Sequence, residues 1–377
     1  MQENFFRLKI NNTIPLLDFT GMDLVEAHRH LGSSVASQVH RIILSRIKAP
    51  SSNQSNEIHE TAAKRLIGIE KIRRSGTSPV IIRETLNQYF ACLEAWTQGA
   101  DLASLNLRGI TSLELAIYLQ DDHPGCQSGV YRQLGDSILF WHTEEDVDEA
   151  DCVRVDQPRV MQFKISEGGP DVYSFIYPDL LPGPNFNWRS DGFIQFADSL
   201  FFNGERQPDG IAANLVTWIT LMIGQMMPTK DIINSIFPVF GGYALFTALP
   251  EHSNVFCNRI EFTANEMLVS NLGGHPGSQL LQTNTFSSEA HAMAARYERD
   301  PFLNRKKYEN RVQRALTCLE KIPPSEMGIE QVRNMLSSRI GGRWAFANRD
   351  VKAHLYGRLS SDSLFINCHP GMVGVDN

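Results

Sequence analysis

The residues with the clearest chemical potential lie on either side of one predicted hairpin turn. Cys126 begins a β-like run, a Gly-Asp pair at 135–136 predicts a tight turn, and the returning run carries His142, Glu144 and Glu145. If the residues flanking that pair face each other, the pairing continues outward until Cys126 stands opposite Glu145, with Cβ atoms about 4.5 to 5.5 Å apart. A shift of one residue would place Glu144 there instead, because strand side chains alternate between faces. The spacing therefore predicts a thiol beside a carboxylate.

Each of these residues also has an ordinary structural interpretation. A lone cysteine is more often a buried thiol than a nucleophile, since free cysteine is among the most buried residue types. The acidic run at 144–149 is typical of a solvated surface, and His142 taken alone indicates a hydrogen-bonded structural histidine. The chemical interpretation depends on a coincidence. Cys126 lies at a change in composition, follows a glycine that presents no side-chain obstacle, and starts a strand that returns an acid to it.

The composition argues against several classes of function. The chain has 377 residues, 42% of them hydrophobic, so it can bury one large core or two ordinary ones. Its formal net charge is -7 and it has no long basic stripe, which argues against nucleic acid as a partner. The six cysteines form no Cys-x-x-Cys pair, and nucleotide-binding and zinc-protease motifs are missing. We therefore expect no metal site and no cofactor.

No segment of the sequence predicts export or membrane insertion. The first nine residues include Glu3, Arg7 and Lys9 and lack the pattern of a secretory signal peptide. The longest apolar run, at 211–227, is interrupted by polar residues and falls short of the roughly 18 apolar residues that indicate a membrane span. We therefore expect a cytoplasmic protein without a membrane partner, in which this run forms a buried helix.

Hydrophobic spacing changes character near residue 125. Before it, apolar residues recur three and four apart, which is typical of helices, and after it short β-like runs appear. Helices before and within a strand-rich region predict a layered α+β architecture. The predicted elements include helices at 24–47, 58–74 and 80–96, an exposed loop at 49–56, two helices between 210 and 240, a hairpin at 258–270 and a helix at 304–321.

Several short motifs, in order along most of the chain, resemble those of one known family. They are Gly-Cys-Gln-Ser at 125–128, Trp-His-Thr-Glu-Glu at 141–145, the element at 93–102, a strand ending near Asp198, Gln-Thr-Asn-Thr-Phe at 282–286 and the helix that carries Arg311. The family is the N-terminal-nucleophile (Ntn) hydrolase group of acyl-CoA:6-aminopenicillanic acid acyltransferases, carcinine-type hydrolases and, more distantly, acid ceramidase.

This resemblance implies a four-layer α/β/β/α Ntn-hydrolase sandwich with an N-terminal helical pro-region. Residues 1–125 would be that pro-region and become the small subunit after cleavage, and residues 126–377 would be the catalytic domain. Cys126 would become a new N-terminus when the bond after Gly125 breaks, and its free α-amine, with a pKa of about 8, would serve as its base. The other implied roles are proton transfer for His142 and Glu145, oxyanion donation for Asn284, a carboxylate-holding cation for Arg311, and substrate binding for Glu144 and Asp198.

The implied activity is cleavage or transfer of the acyl group of a small amide through a thioester on Cys126. The partner would be a small-molecule amide or acyl donor, and the sequence leaves homo-oligomer formation open. The chain departs from the family pattern in three ways. Glu145 stands where the family usually has Asp, Asp198 lies near a position that the family fills with Asn, and the basic residue that the family sometimes has near position 142 is a histidine here. The departure at Asp198, together with Gln282, motivates the alternative, a non-enzymatic or uncleaved binding protein of Ntn architecture with an inert Cys126.

Overall fold

The structure of the chain is a computed structural model built from two large β-sheets and the helices on either side of them. It describes residues 6–47, 52–107, 109–120, 125–145, 159–200, 209–240, 242–264, 266–284, 286–287, 290, 303–340, 343–344 and 351–370.

The first sheet contains the strand that begins with Gly125 and Cys126. Within the described ranges its strand order is β1-β18-β17-β4-β3-β14, with β1 parallel to β18 and the other neighbours antiparallel. Strands β3 and β4 form the predicted hairpin. The strands are β1 (Arg7–Asn12), β3 (Gly125–Arg132), β4 (Ile138–Glu145), β14 (Gln279–Gln282), β17 (Val351–Leu359) and β18 (Ser363–Pro370).

The second sheet packs against the first and has the order β13-β12-β11-β8-β7-β6-β5-β2, as far as the described residues show. Only its β2–β5 pair is parallel in these ranges. The strands are β2 (Leu16–Asp18), β5 (Arg159–Lys164), β6 (Asp171–Ile176), β7 (Phe186–Arg189), β8 (Ile194–Leu200), β11 (Gly242–Glu251), β12 (Asn254–Phe262) and β13 (Met267–Asn271). Two short ladders pair β9 (Ile211–Ala212) with β10 (Val239–Phe240) and β15 (Arg339–Ile340) with β16 (Arg343–Trp344).

Two of the described helices, α1 and α4, begin with side-chain caps. The Asp23 side chain accepts the backbone N–H of Glu26 at the start of α1, and Thr111 and Glu114 form a reciprocal capping box at α4. The helices are α1 (Leu24–Arg46), α2 (Ser52–Arg74), α3 (Val80–Gly99), a 3-10 turn (Leu102–Leu105), α4 (Ser112–Leu119), α5 (Ala213–Ile223), α6 (Thr229–Ile236), α7 (Leu303–Leu319) and α8 (Ile329–Leu336). The loop predicted at 49–56 is wrong from Ser52 onward, where α2 begins, and positions 49–51 lie outside the described residues.

Three hydrophobic clusters define four layers. One cluster fills the space between the two sheets, a second joins helices α1 to α6 to the outer face of the second sheet, and a third joins α7 and α8 to the outer face of the first. Burial of both faces of both sheets explains why most strands lack alternation between apolar and polar residues. The α+β fold class with α/β/β/α layering is confirmed. Representative buried residues between the sheets are Val130, Phe140, Phe175, Phe196 and Leu355.

The N-terminal segment is not purely helical. Strand β1 adds to the edge of the first sheet beside β18, and β2 adds to the edge of the second beside β5. The division at residue 125 stays a prediction, and positions 121–124 of the junction lie outside the described residues. None of the helices in the described ranges has the length and apolar composition needed to cross a bilayer.

Candidate active site

The hairpin that carries the cysteine has a register one residue away from the predicted one. Cys126 pairs with Glu144, and Gly125 pairs with Glu145. The reason lies at the turn, where the N–H of Gln133 donates to the carbonyl of Ser137 and three residues lie between them. Gly135, at the centre, has φ of +86°, a conformation that glycine adopts without strain. A three-residue turn replaces the predicted two-residue turn, so Glu144 takes the place expected of Glu145.

Strand alternation then separates the candidate residues onto two faces of the first sheet. Val130 and Phe140 face the core between the sheets, whereas Tyr131 and Trp141 face helices α7 and α8. By the same parity, Cys126, Ser128, His142 and Glu144 belong to the inner face, and Gln127, Thr143 and Glu145 to the outer face. Glu145 therefore lies across the sheet from the thiol, and Glu144 lies beside it.

On the inner face, Glu144 connects the thiol to two further polar groups. The Cys126 thiol donates to Glu144 Oε2 at 3.7 Å, and the Tyr177 hydroxyl donates to the same oxygen at 2.7 Å. The other oxygen, Oε1, is 2.8 Å from His142 Nε2, and His142 Nδ1 is 2.7 Å from Ser128 Oγ. All five side chains are buried, Cys126 with 3% of its surface exposed. The geometry provides a continuous hydrogen-bonded path from the thiol to the imidazole.

The electrostatic environment keeps the thiol protonated in this state of the chain. Burial raises the pKa of Cys126 well above its ordinary value, and the neighbouring carboxylates, first among them Glu144, act in the same direction. For His142, burial alone would lower the pKa, but the attraction of the Glu144 carboxylate more than offsets it, and the pKa is raised. An attack by the sulfur therefore requires a nearby group that removes its proton.

Asp198 reaches the same region from strand β8 of the opposite sheet. It is completely buried, and within the described part of the chain neither of its carboxylate oxygens makes a hydrogen bond of good geometry. Burial raises the pKa of Asp198 to about 7, against the opposing influence of His142 and Ser128. A buried carboxylate whose oxygens make no hydrogen bond of good geometry is costly, so this position calls for an explanation beyond packing.

On the outer face, Arg311 of helix α7 ties three elements together. Its Nη2 makes an ion pair with Glu145 and donates to Gln127 Oε1 at 3.2 Å, and its Nη1 donates to Asn284 Oδ1 at 3.4 Å. Thr143 adds a hydrogen bond to Glu145 at 3.1 Å. Both charged partners are buried, so the pair is shielded from solvent. The arrangement holds the end of β4 opposite Gly125.

Asn284 connects this outer network to the backbone of the nucleophile candidate. Its Oδ1 accepts the backbone N–H of Cys126 at 3.3 Å, and its Nδ2 donates to the carbonyl oxygen of Ser199 at 2.9 Å. The bonds to Arg311 and Ser199 together fix the orientation of the amide, because the Arg311 guanidinium can only donate, to the amide oxygen, and the Ser199 carbonyl can only accept, from the amide nitrogen. The amide oxygen thus faces the Cys126 nitrogen, whereas the sequence assigned the amide N–H to an oxyanion.

On the inner face, Tyr177 and Ser128 have no role assigned by the sequence prediction. Tyr177 follows β6 and Ser128 follows the nucleophile by two positions, and neither occurs in a spacing that indicates chemistry. The expectation of no metal site rested on linear spacing, but the fold brings three ligand types together. Atoms of Cys126, His142 and Glu144 that can bind a metal ion all lie within 4.8 Å of one another.

Comparison with known proteins gives a distant likeness only. No protein-family profile matches the chain, and no curated protein matches it. Among solved structures, the chain is similar to an N-acylethanolamine-hydrolyzing acid amidase ortholog from Caenorhabditis elegans, with 11% sequence identity and a TM-score of 0.42. The alignment covers 61% of this chain and 92% of that protein. At this distance the likeness says nothing about the activity of the chain.

Proposed function

We propose that the chain is the precursor of a self-activating cysteine amide hydrolase or acyltransferase of the Ntn type. The observation that carries this proposal is the environment of one residue. At Cys126, the second residue of β3 after Gly125, the thiol donates to the Glu144 carboxylate and the backbone N–H donates to the Asn284 amide oxygen. A nucleophile and a future amine on the same residue, each with its own partner, are the parts that an N-terminal-nucleophile mechanism needs.

Self-cleavage begins with the thiol proton. Glu144 accepts this proton as the sulfur of Cys126 attacks the carbonyl carbon of Gly125. The C–N bond between the two residues breaks, the nitrogen takes up a proton and becomes the α-amine of Cys126, and Gly125 remains as a thioester on the sulfur. Water then hydrolyses the thioester, which releases the Gly125 carboxylate and restores the thiol. Tyr177 and His142 hold the Glu144 carboxylate in position for the first step.

Turnover reuses the same sulfur with a different base. The α-amine of Cys126, with a pKa of about 8, takes the thiol proton as the sulfur attacks the acyl carbon of a substrate amide. The leaving amine receives that proton, and the acyl group stays on the sulfur as a thioester. Water then releases the acyl group as an acid in a hydrolase, or an amine accepts it in an acyltransferase.

Asn284 and Arg311 position the α-amine of Cys126, which is the base during turnover. The Asn284 oxygen accepts a hydrogen bond from the Cys126 nitrogen and can orient the α-amine that cleavage creates. Arg311 holds that oxygen and Glu145 at once. The Asn284 amide nitrogen has one hydrogen committed to Ser199, which leaves its second hydrogen for the developing oxyanion that the sequence prediction assigned to it.

The substrate class follows from the charges around the thiol. We propose a small amide whose departing or acyl portion carries a hydrogen-bond donor or a positive charge, because the buried Asp198 carboxyl acts on the Cys126 thiol and its two oxygens make no hydrogen bond of good geometry among the described residues. Assays with N-acyl amino acids, β-alanyl amines, and acyl-CoA with amine acceptors would separate hydrolysis from acyl transfer. Cleavage of neutral N-acyl compounds alone would contradict the assignment of Asp198.

A second candidate is favoured by the burial of the nucleophile. With 3% of its surface exposed and a raised pKa, Cys126 has the properties of an inert structural thiol, and the chain would then be an uncleaved binding protein of the same architecture. The two candidates differ in one measurable property. An inert thiol leaves the chain intact indefinitely, whereas a precursor separates into residues 1–125 and 126–377.

The test is therefore the covalent state of the purified chain over time. The full chain is incubated across pH 5 to 8, and its fragments are measured by denaturing mass spectrometry and N-terminal sequencing. We expect a fragment that begins with Cys126, its absence in Cys126→Ala, and its normal appearance in Cys257→Ala, which removes another buried thiol from the same inter-sheet layer. A wild-type chain that stays intact at every pH would favour the inert protein.

A further inference from the structure

Cys126, His142 and Glu144, here called the inner-face cluster, have the composition of a transition-metal site. A thiol, an imidazole and a carboxylate are the three side-chain types that bind Zn²⁺, and those of Cys126, His142 and Glu144 present their ligand atoms within 4.8 Å of one another. In a tetrahedral zinc site the bonds are about 2.0 to 2.3 Å long, so its ligand atoms lie about 3.2 to 3.8 Å apart. The separation of 3.7 Å from Sγ to Glu144 Oε2 lies in that range, whereas His142 Nε2 is only 2.8 Å from the other carboxylate oxygen, Oε1, and would move slightly apart from it around an ion.

The groups around the cluster are those that support metal ligands. A metal-bound histidine donates its second ring nitrogen to an acceptor that fixes its orientation, and His142 Nδ1 is 2.7 Å from Ser128 Oγ. The Tyr177 hydroxyl donates to Glu144 at 2.7 Å and fixes the carboxylate in the same way. Both ligands are therefore oriented before any ion arrives.

A separate observation also points to a cation. Asp198 is completely buried near His142, and neither of its oxygens makes a hydrogen bond of good geometry within the described residues. An ion of charge +2 beside the thiolate and Glu144 would compensate this carboxylate. The inner face thus holds three acidic groups, Cys126, Glu144 and Asp198, beside His142, and a divalent cation there would favour their ionised forms.

We propose that Cys126, His142 and Glu144 bind Zn²⁺ and that the bound ion keeps the chain uncleaved. The ion replaces the thiol proton, which leaves to solvent, and a Zn–S bond forms. The sulfur lone pair that would attack the Gly125 carbonyl is then engaged by the metal. The effect on cleavage rests on the proposed function, whereas the binding of the ion does not.

The binding test uses Co²⁺ as a spectroscopic substitute for Zn²⁺ on the full chain. Because the three side chains are buried, the ion is added both during refolding and to the folded chain over hours. We expect a thiolate-to-Co²⁺ charge-transfer absorption that Zn²⁺ displaces, that Cys126→Ser abolishes, and that Ser128→Ala weakens with about a 10- to 100-fold loss of affinity. Cys318→Ser, which removes a more exposed thiol, is the matched control and should leave the absorption unchanged.

X-ray absorption of the zinc-loaded wild-type chain gives a measurement that needs no variant. One sulfur and two or more nitrogen or oxygen ligands are expected. No thiolate absorption in the wild type, or an absorption that persists in Cys126→Ser, would overturn the site.

The regulatory effect is measured separately. Metal-free chain should cleave and zinc-loaded chain should stay intact until a chelator is added, and cleavage at equal rates in both would overturn the inhibitory role. If metal-free chain also stays intact while Co²⁺ binds at Cys126, the proposed function fails and the metal site stands.

Discussion

Replacing Glu144 by glutamine tests the route that the thiol proton takes during self-cleavage. The amide has the size of the carboxylate, so its oxygen can still accept the Tyr177 hydroxyl and its nitrogen can still meet His142. What Glu144→Gln removes is the proton acceptor that stands 3.7 Å from the Cys126 sulfur. The substitution therefore separates the chemical role of Glu144 from its role in packing.

The magnitude follows from the value of a positioned base. General base catalysis contributes about 100- to 10,000-fold to a rate, which corresponds to roughly 3 to 5 kcal/mol of barrier. One effect acts in the opposite direction, because the Glu144 charge helps to raise the pKa of the Cys126 thiol, and its removal makes the thiol more acidic. The loss of the acceptor outweighs this gain, since the proton must leave the sulfur during the attack. We expect cleavage slowed by about two orders of magnitude or more.

The assay follows the disappearance of intact chain by denaturing mass spectrometry from the moment the metal-free protein is refolded. Glu251→Gln, at an exposed strand end, is the matched control and should cleave at the wild-type rate. Thermal unfolding of both variants checks that the fold is intact. Cleavage of Glu144→Gln at the wild-type rate, or faster, would refute the role of Glu144 as the proton acceptor.

Three further predictions, on Cys126, Asp198 and Gly129, test other parts of the site and fold. Cys126→Ala should abolish both self-cleavage and amide turnover, and Cys126→Ser should slow both, because a hydroxyl is a weaker nucleophile at neutral pH. Ordinary turnover by Cys126→Ala in an amide assay would contradict the assignment of Cys126 as the nucleophile. Because burial raises the pKa of Asp198 to about 7, the native state keeps a proton that the unfolded chain releases near pH 4. The free energy of unfolding should therefore fall as the pH rises from about 4 to 7, and Asp198→Asn should remove up to about 4 kcal/mol of this fall. Urea unfolding at several pH values, in the Cys126→Ala background, measures this free energy of unfolding. Identical pH profiles with and without Asp198→Asn would contradict the prediction. Gly129→Ala would place a Cβ 2.2 Å from the Trp141 ring, so we expect a loss of about 1 to 3 kcal/mol in urea unfolding, whereas Gly21→Ala, with no atom within 4 Å, should cost little. Equal stability of the two glycine variants would contradict this prediction and would mean that β3 and β4 shift to make room for the added methyl group.

Much of the fold could be predicted from the sequence because its signals are local. The apolar spacing at 24–47 matches α1 closely, and the hairpin predicted at 258–270 is formed by β12 and β13. Strands β1 and β2 were missed because edge strands carry a weak pattern. The side chains of β1 alternate only between exposed and half-buried, and β2 has three residues. Such strands form because a sheet edge elsewhere in the chain accepts them.

Part of the site could be predicted from the sequence, and the errors in that prediction have physical causes. Cys126 and the acidic strand end are visible in the sequence, but the choice between Glu144 and Glu145 depends on whether the turn has two or three residues. A one-residue difference there moves a carboxylate to the other face of the sheet. Tyr177 and the orientation of the Asn284 amide depend on contacts between distant segments, and no linear spacing encodes them.

The edge strands β1 and β2 determine whether the two fragments stay together after cleavage of the bond that follows Gly125. The leading fragment would still be hydrogen-bonded into both sheets, and its helices α1 to α4 would still cover the apolar outer face of the second sheet. Cleavage of one peptide bond would thus yield a two-chain protein that elutes as a single species in native gel filtration and dissociates only in denaturing detergent. By the same logic, residues 126–377 expressed alone would expose that apolar face to water and aggregate, so the leading fragment would act as a permanent subunit.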